Sequence, residues 1–135
     1  MKRAVSLVIC LTILISCISV TAFAEIVGGS STTVNGHTLT CDIWYYVADT
    51  NLEYAVWADW NGANATVTAT MEGVNYYTGA ALFAKTQNTQ TNSTVAQAWR
   101  WPALSTLVKS RIYGRAEVSG SGYYGITPVY SVVVN

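Results

Sequence analysis

Cysteine is scarce in this sequence, and the positions of the few cysteines exclude a disulfide framework. Two of the three, Cys10 and Cys17, lie in an apolar N-terminal segment, and only Cys41 lies in the rest of the chain. A domain with one cysteine forms no internal disulfide, so its core and its strand pairing must supply the stability. Cys41 falls within an apolar alternation, and we predict a small buried hydrophobic side chain there.

Charged residues are also few, and neither sign dominates. They make up 10% of the chain. After Ala24 the chain holds five basic and seven acidic residues, so five minus seven gives a net charge of −2. This weak balance argues against nucleic acid as a partner and against strong attraction to anionic lipid.

Residues suited to catalysis are sparse as well. His37 is the single histidine, and no His, Cys and Asp cluster has the spacing of metal ligands. The sequence has neither a serine-nucleophile motif nor a glycine-rich phosphate loop beside a helix. Carboxylates from Asp42, Glu53 and Asp59 could supply a glycosidase pair, but a flat sheet face lacks the cleft that raises one pKa. We therefore predict a non-enzymatic protein with no metal ion or other cofactor.

The first 24 residues have the pattern of a secretory signal peptide. A basic start at residues 1–3 precedes a long apolar run, and Ala22–Ala24 has the small-x-small form of a cleavage site. We predict cleavage before Glu25 and a single β domain over residues 25–135, secreted from a bacterial cell. Asn-x-Thr patterns at Asn64 and Asn92 are then coincidences of composition.

The N-terminus has two other, less favoured interpretations. In one, Cys17 is lipidated and anchors a lipoprotein, although residues 18–24 are apolar where a lipoprotein normally has a polar tether. In the other, the apolar run is a transmembrane helix. The cleavage site and the lack of a charged stop-transfer flank disfavour that helix, so we predict no stable transmembrane span after cleavage.

The rest of the chain lacks a convincing helical period and instead alternates apolar and polar residues in short runs, as half-buried strands do. Asn35-Gly36 predicts a type I′ hairpin, because both central positions of that turn need positive φ. The pattern predicts an all-β fold, a small antiparallel β-sandwich, with a small barrel as the alternative. Residues 25–31 are Gly/Ser-rich, and we expect them to fray.

The clearest alternation runs over Thr38–Met71 and predicts a three-stranded meander at the centre of the fold. A four-residue loop between the first two strands places Ile43 opposite Val56. A two-residue turn at Asn61-Gly62 then places Val56 opposite Val67 on a third strand. Both registers put the same residues of the middle strand on one side, which we assign to the core.

Four more strands are predicted downstream, over residues 80–86, 94–101, 107–118 and 123–135, the last interrupted or at an edge at Pro128. The Gln/Asn/Thr tract of residues 87–93 has no hydrophobic period and predicts a loop. Residues 102–106 form one helical turn at most. Both unpatterned segments suit connections that cross between two sheets.

The outward face of the meander is the leading candidate site. In the predicted register Trp44 and Trp57 are diagonal neighbours, close enough for their rings to form one platform. Exposed aromatics bordered by acceptors suit a sugar ring, whose C–H face packs on indole. The alternative is that these cross-strand aromatics only stabilise the sheet. The candidate binding residues are Trp44, Tyr46, Trp57, Asp42, Glu53 and Asp59, with Thr66 and Thr68 expected on the same face.

Two further groups are weaker candidates for a membrane or anion contact. Trp99 and Trp101 share one face of a predicted strand, as core anchors, a loop-edge binding site or a membrane-interface contact, and a core position is the default for large aromatics. Lys109, Arg111 and Arg115 form a basic ladder that could meet an anionic polymer or a lipid headgroup. A solvated face that discourages edge aggregation is the commoner role of such charges.

These features together predict a secreted binding module that contacts glycan or the cell envelope through its aromatic sheet face. Two alternatives stay open. One is a bacteriocin-like antagonist that acts on membranes through Trp99, Trp101 and Arg111. The other is a structural subunit that assembles through an open strand edge at residues 132–134.

Overall fold

The structure is a computed structural model, and it describes residues 24–47, 52–101 and 108–134. The predicted signal peptide lies outside these residues apart from Ala24, as do the predicted loop at 48–51 and the predicted turn at 102–106. The strands are β1 (Ala24–Val34), β2 (His37–Val47), β3 (Leu52–Trp60), β4 (Ala65–Asn75), β5 (Ala81–Ser93), β6 (Val95–Arg100), β7 (Ser110–Gly120), β8 (Tyr123–Ile126) and β9 (Tyr130–Val134). Within the described ranges nothing helical has the length and apolarity that a membrane crossing requires.

Two antiparallel sheets pack together, which confirms the predicted all-β sandwich. The first sheet has the strand order β1-β2-β3-β6, and the second has the order β5-β4-β7-β8, with β9 also paired to β7. Strands β8 and β9 occupy successive parts of one edge of β7. Pro128 lies between these two short strands, so it does interrupt the last predicted strand.

The core lies between the sheets, and alternate residues of both sheets fill it. Ile43 and Val56 from the first sheet are fully buried, as are Val67 and Ile112 from the second. Gly114 takes a core-facing position of β7, where an added Cβ would lie 3.0 Å from Ile43 and 3.1 Å from Val56. The missing side chain therefore lets the two sheets approach each other at this point.

Cys41 is a free, fully buried thiol in this core, as predicted. Burial, and secondly the charge of the neighbouring Asp42, raises the pKa of Cys41 to about 12. The thiol therefore stays protonated at neutral pH and behaves as a small hydrophobic group.

The first two hairpins follow the sequence prediction closely. Asn35 (φ 49°) and Gly36 (φ 79°) form the two-residue turn between Val34 and His37. Strands β2 and β3 pair with Ile43 opposite Val56, the predicted register. The expected fraying of residues 25–31 is wrong, because β1 pairs with β2 from Ala24 onward, with a bulge between Ile26 and Gly28.

The predicted pairing of the third meander strand with the second is wrong. Strand β4 belongs to the second sheet, between β5 and β7, and the neighbour of β3 is β6. Val67 nevertheless faces the core, opposite Val118 of β7 instead of Val56. The alternation fixed which side chains point inward, and it could not distinguish one partner strand from another.

Residues 61–64 cross from one sheet to the other and do not form a type I′ turn. Neither Asn61 nor Gly62 has a positive φ. The Asn61 side-chain oxygen Oδ1 accepts a hydrogen bond from the Thr38 backbone N–H (2.6 Å), and the Asn61 backbone N–H donates to the Thr38 carbonyl (3.1 Å). A Cβ on Gly62 would overlap the indole ring of Trp60. The Asn-Gly pair thus holds the chain to β2 and lets it pass over a buried tryptophan.

The predicted loop at residues 87–93 is also wrong, because these residues form most of β5 at the edge of the second sheet. Their polar side chains have partners that the sequence does not reveal. Asn88 donates from Nδ2 to the carbonyl of Gln97 on β6 (2.8 Å), which joins the edges of the two sheets. Thr89 and Thr68 hydrogen-bond across the strand pair (2.9 Å). Hydrogen bonds of polar side chains thus link this strand to its neighbours, where a strand with a hydrophobic period would bury apolar side chains.

Candidate functional site

The outward face of the first sheet carries an apolar row that runs across its four strands. Ile26, Trp44, Ala55 and Trp99 are successive cross-strand partners on β1, β2, β3 and β6. Since partners in one row point to the same side of a sheet, their side chains share one surface. We call this surface, with Trp57 and Trp101, the aromatic face.

Trp44 and Trp57 form the centre of the aromatic face, as the register predicted. Their ring centroids lie 6.1 Å apart with the planes tilted by 47°. Ala55 is 4% exposed and lies between the bulkier side chains. The result is an open hollow of about 290 Å³, lined by Trp44, Tyr46, Glu53, Ala55, Trp57 and Gln97. Four of the six predicted binding residues therefore line one hollow, namely the three aromatic residues and the carboxylate Glu53.

The three predicted carboxylates lie on the same face but differ in position. Glu53 lines the hollow, whereas Asp42 is the cross-strand partner of Trp57 and Asp59 is exposed farther along β3. Burial, and secondly repulsion from Asp59, raises the pKa of Asp42 above its usual value. The described outward positions of this sheet carry no lysine or arginine.

Trp99 and Trp101 join the same surface, which sequence reasoning missed. Their centroids are 6.4 Å apart, and they are 41% and 61% exposed. The core position, the default for these residues, is therefore wrong. The signal was present in the alternation of β6, but only the pairing of Trp99 opposite Ala55 shows which sheet face the pair occupies.

Thr66 and Thr68 do not belong to the aromatic face. Both lie on β4 in the second sheet, where Thr68 is paired with Glu117 on one side and Thr89 on the other. Their predicted position depended on a third meander strand that does not form, so this part of the predicted site is wrong. Gln97 of β6 takes the corresponding place beside Trp57.

The basic ladder lies with the other sheet and is engaged by neighbouring side chains. Lys109 Nζ and Arg111 Cζ lie 4.9 and 5.2 Å from the centroid of the Tyr76 ring. Arg115 is paired with Glu117 at 2.6 Å. The cations thus have aromatic or carboxylate partners within the molecule. Their contact with an anion or a membrane remains a prediction.

The remaining polar residues form no centre with evident chemistry in the described part of the chain. His37 contacts the ring of Trp60 edge-on, with centroids 5.4 Å apart. No group of three or more His, Cys, Asp or Glu among the described residues could hold a metal ion. No family model, curated protein or solved structure matches this chain.

Proposed function

We propose that this protein is a secreted, non-enzymatic binding module that holds a sugar ring of an extracellular or cell-envelope glycan on Trp44 and Trp57. The observation that carries the proposal is the hollow of about 290 Å³ in which these rings meet Tyr46 and Glu53. Its size lies at the lower end of the range for ligand sites, and its walls are mostly apolar, with three aromatic residues among the six and few polar groups.

The chemistry of the hollow suits a sugar. Indole faces accept the C–H groups of a pyranose by dispersion and quadrupole attraction. The Glu53 carboxylate accepts hydrogen bonds from hydroxyls, and the Gln97 amide both donates and accepts. A purely apolar ligand would leave these two groups without partners, and a nucleic acid would meet three carboxylates.

The test is binding of the secreted form to a panel of insoluble polysaccharides and cell-wall fragments, measured by pull-down. We expect Trp44→Ala and Trp57→Ala each to weaken binding about tenfold, which corresponds to about 1.4 kcal/mol. Tyr77→Ala, at an aromatic residue 76% exposed outside the aromatic face, serves as the matched control and should bind normally.

A melting curve of each variant separates binding from sheet stabilisation, because cross-strand aromatics also contribute to stability. Folded Trp44→Ala and Trp57→Ala variants that bind as well as the unchanged protein would overturn the proposal. The same holds if no polysaccharide of the panel binds the unchanged protein.

A further inference from the structure

We infer that the aromatic face binds a glycan chain of several sugars that is neutral or carries amino groups, with Trp99 and Trp101 as a second subsite. This inference rests on the proposed function and adds the length and the charge class of the ligand.

The length follows from the geometry of the row. Trp44 and Trp99 flank Ala55, two strand spacings apart, so their backbones are separated by about 9.6 Å. Ala55, at 4% exposure, is too small to fill the space between them. A ligand that stacks on Trp44 and also on Trp99 must therefore run across the strands over more than one sugar ring.

The second subsite follows from exposure. Trp44 and Trp57 are half-buried, whereas Trp99 and Trp101 are more exposed and still lie next to each other. Large exposed aromatics grouped at one edge of a surface are typical of interaction sites, since isolated ones are the rule elsewhere. Their continuity with the hollow, through Gln97 and Ala55, favours one extended ligand over two separate ones.

The charge class follows from the distribution of charge between the two sheets. The described outward positions of the aromatic face carry Asp42, Glu53 and Asp59 without a cation, while Arg111 and Arg115 belong to the second sheet. Polymers of uronic acid, sulfated sugar or sugar phosphate would meet three carboxylates at these positions and one cation, Arg100, which is exposed at the end of β6 next to Trp99. An ammonium group of an amino sugar would be attracted by the carboxylates.

Calorimetric titrations with defined oligosaccharides test both parts. The probes are dimers and hexamers of β-linked glucose, N-acetylglucosamine and glucosamine, with the galacturonic acid hexamer as the anionic probe. For at least one neutral or amino series we expect the hexamer to bind at least tenfold more tightly than the dimer. In that series Trp99→Ala with Trp101→Ala should reduce the hexamer to the affinity of the dimer and leave the dimer unchanged.

Charge is tested with Asp42→Asn, which at low salt should weaken binding of the glucosamine hexamer severalfold more than binding of the glucose hexamer, because only the amino sugar loses a charge attraction. Glu72→Gln, an exposed carboxylate of the second sheet, is the matched control and should alter neither.

The outcomes separate this inference from the proposed function. If dimers bind through Trp44 and Trp57 while the Trp99 and Trp101 substitutions leave hexamer binding intact, only the inference is overturned. If the galacturonic acid hexamer binds as tightly as the neutral and amino hexamers, or more tightly, the inferred charge class of the ligand is overturned. If no oligosaccharide binds at all, and anionic liposomes release dye in a way that Trp101→Ala abolishes, the aromatic face is a membrane contact and both proposals fail.

Discussion

At the scale of single residues, Asp42 shows how the fold changes the chemistry of the aromatic face. Its carboxylate lies against Gly29 of β1, at a point where any larger residue would overlap it. Burial of Asp42, and then repulsion from Asp59, disfavours the charged form and raises the pKa. The fold thus keeps an acceptor beside Trp57 although ionisation of that acceptor weakens the folded state.

The pH dependence of stability follows from this shift. Between the usual pKa of Asp42 and its raised value, the folded state binds more protons than the unfolded state, so the free energy of unfolding falls as pH rises. We expect Asp42→Asn to remove this part of the slope. At pH 7 the variant should be more stable by less than about 1 kcal/mol, because water screens a half-exposed charge.

Urea titrations of both proteins across the acid range would measure this effect. A slope that persists in Asp42→Asn would show that Asp42 titrates normally in the folded state.

At the scale of elements, turns and alternation determine a great deal locally. The Asn35-Gly36 pair gives a hairpin whose register extends along β1 as far as Gly28, where a bulge shifts it, since the two-residue turn fixes which residues face each other. The Asn61-Gly62 pair looks the same in the sequence and acts as a crossover, because Asn61 is held by Thr38 and Gly62 passes over Trp60. An Asn-Gly pair therefore predicts that the chain changes direction, but it does not predict which strand the next segment will pair with.

The first turn offers a test at this scale. Gly36→Ala should destabilise the protein by about 1 to 2 kcal/mol, because alanine is strained at the positive φ of this position. An added Cβ meets nothing within 4 Å, so the loss of stability comes from backbone strain and not from a steric clash.

Gly36→Asn is the control, since asparagine tolerates positive φ better and should cost clearly less. The urea midpoint should shift without a change in the m-value. Equal losses for alanine and asparagine would argue against the type I′ turn.

Strand β5 shows a limit of prediction from sequence at the same scale. Its polar tract has no hydrophobic period, yet Thr89 pairs with Thr68 and Asn88 reaches Gln97 on β6. These partners lie on other elements, and they add to the backbone pairing of the tract with β4. A hydrophobic period in a sequence arises from the burial of alternate side chains. An edge strand held by polar contacts buries few side chains, so its sequence shows little of this period.

At the scale of the whole molecule, the crossovers between sheets decide what the surface presents. Because the chain leaves the first sheet after β3 and returns with β6, the Trp99 pair is brought beside the Trp44 pair. The same crossovers place the basic ladder on the second sheet, away from the carboxylates. The aromatic and acidic character of one face is therefore a property of the topology.

The packing of the two sheets gives a prediction at this scale. Gly114→Ala should destabilise the protein by about 1 to 3 kcal/mol, because its Cβ would crowd Ile43 and Val56 of the opposite sheet. The measurement is the free energy of unfolding in urea.

A double-mutant cycle with Val56→Ala checks the cause. Removing the crowded methyl groups should make the double variant more stable than the sum of the two single losses implies. Strict additivity of the two losses would show that Gly114 does not limit the distance between the sheets.

The sequence by itself determined the all-β class, the inward and outward sets of each clear strand, the first two hairpin registers and the Trp44–Trp57 platform. These follow from a period of two residues and from turn geometry, which are local properties of the chain. Only the tertiary structure decided that β3 pairs with β6, that residues 87–93 form a strand, and that Trp99 and Trp101 extend the aromatic face. Alternation is equally satisfied by any partner strand that buries the same side, so the choice of partner depends on contacts between residues far apart in the chain.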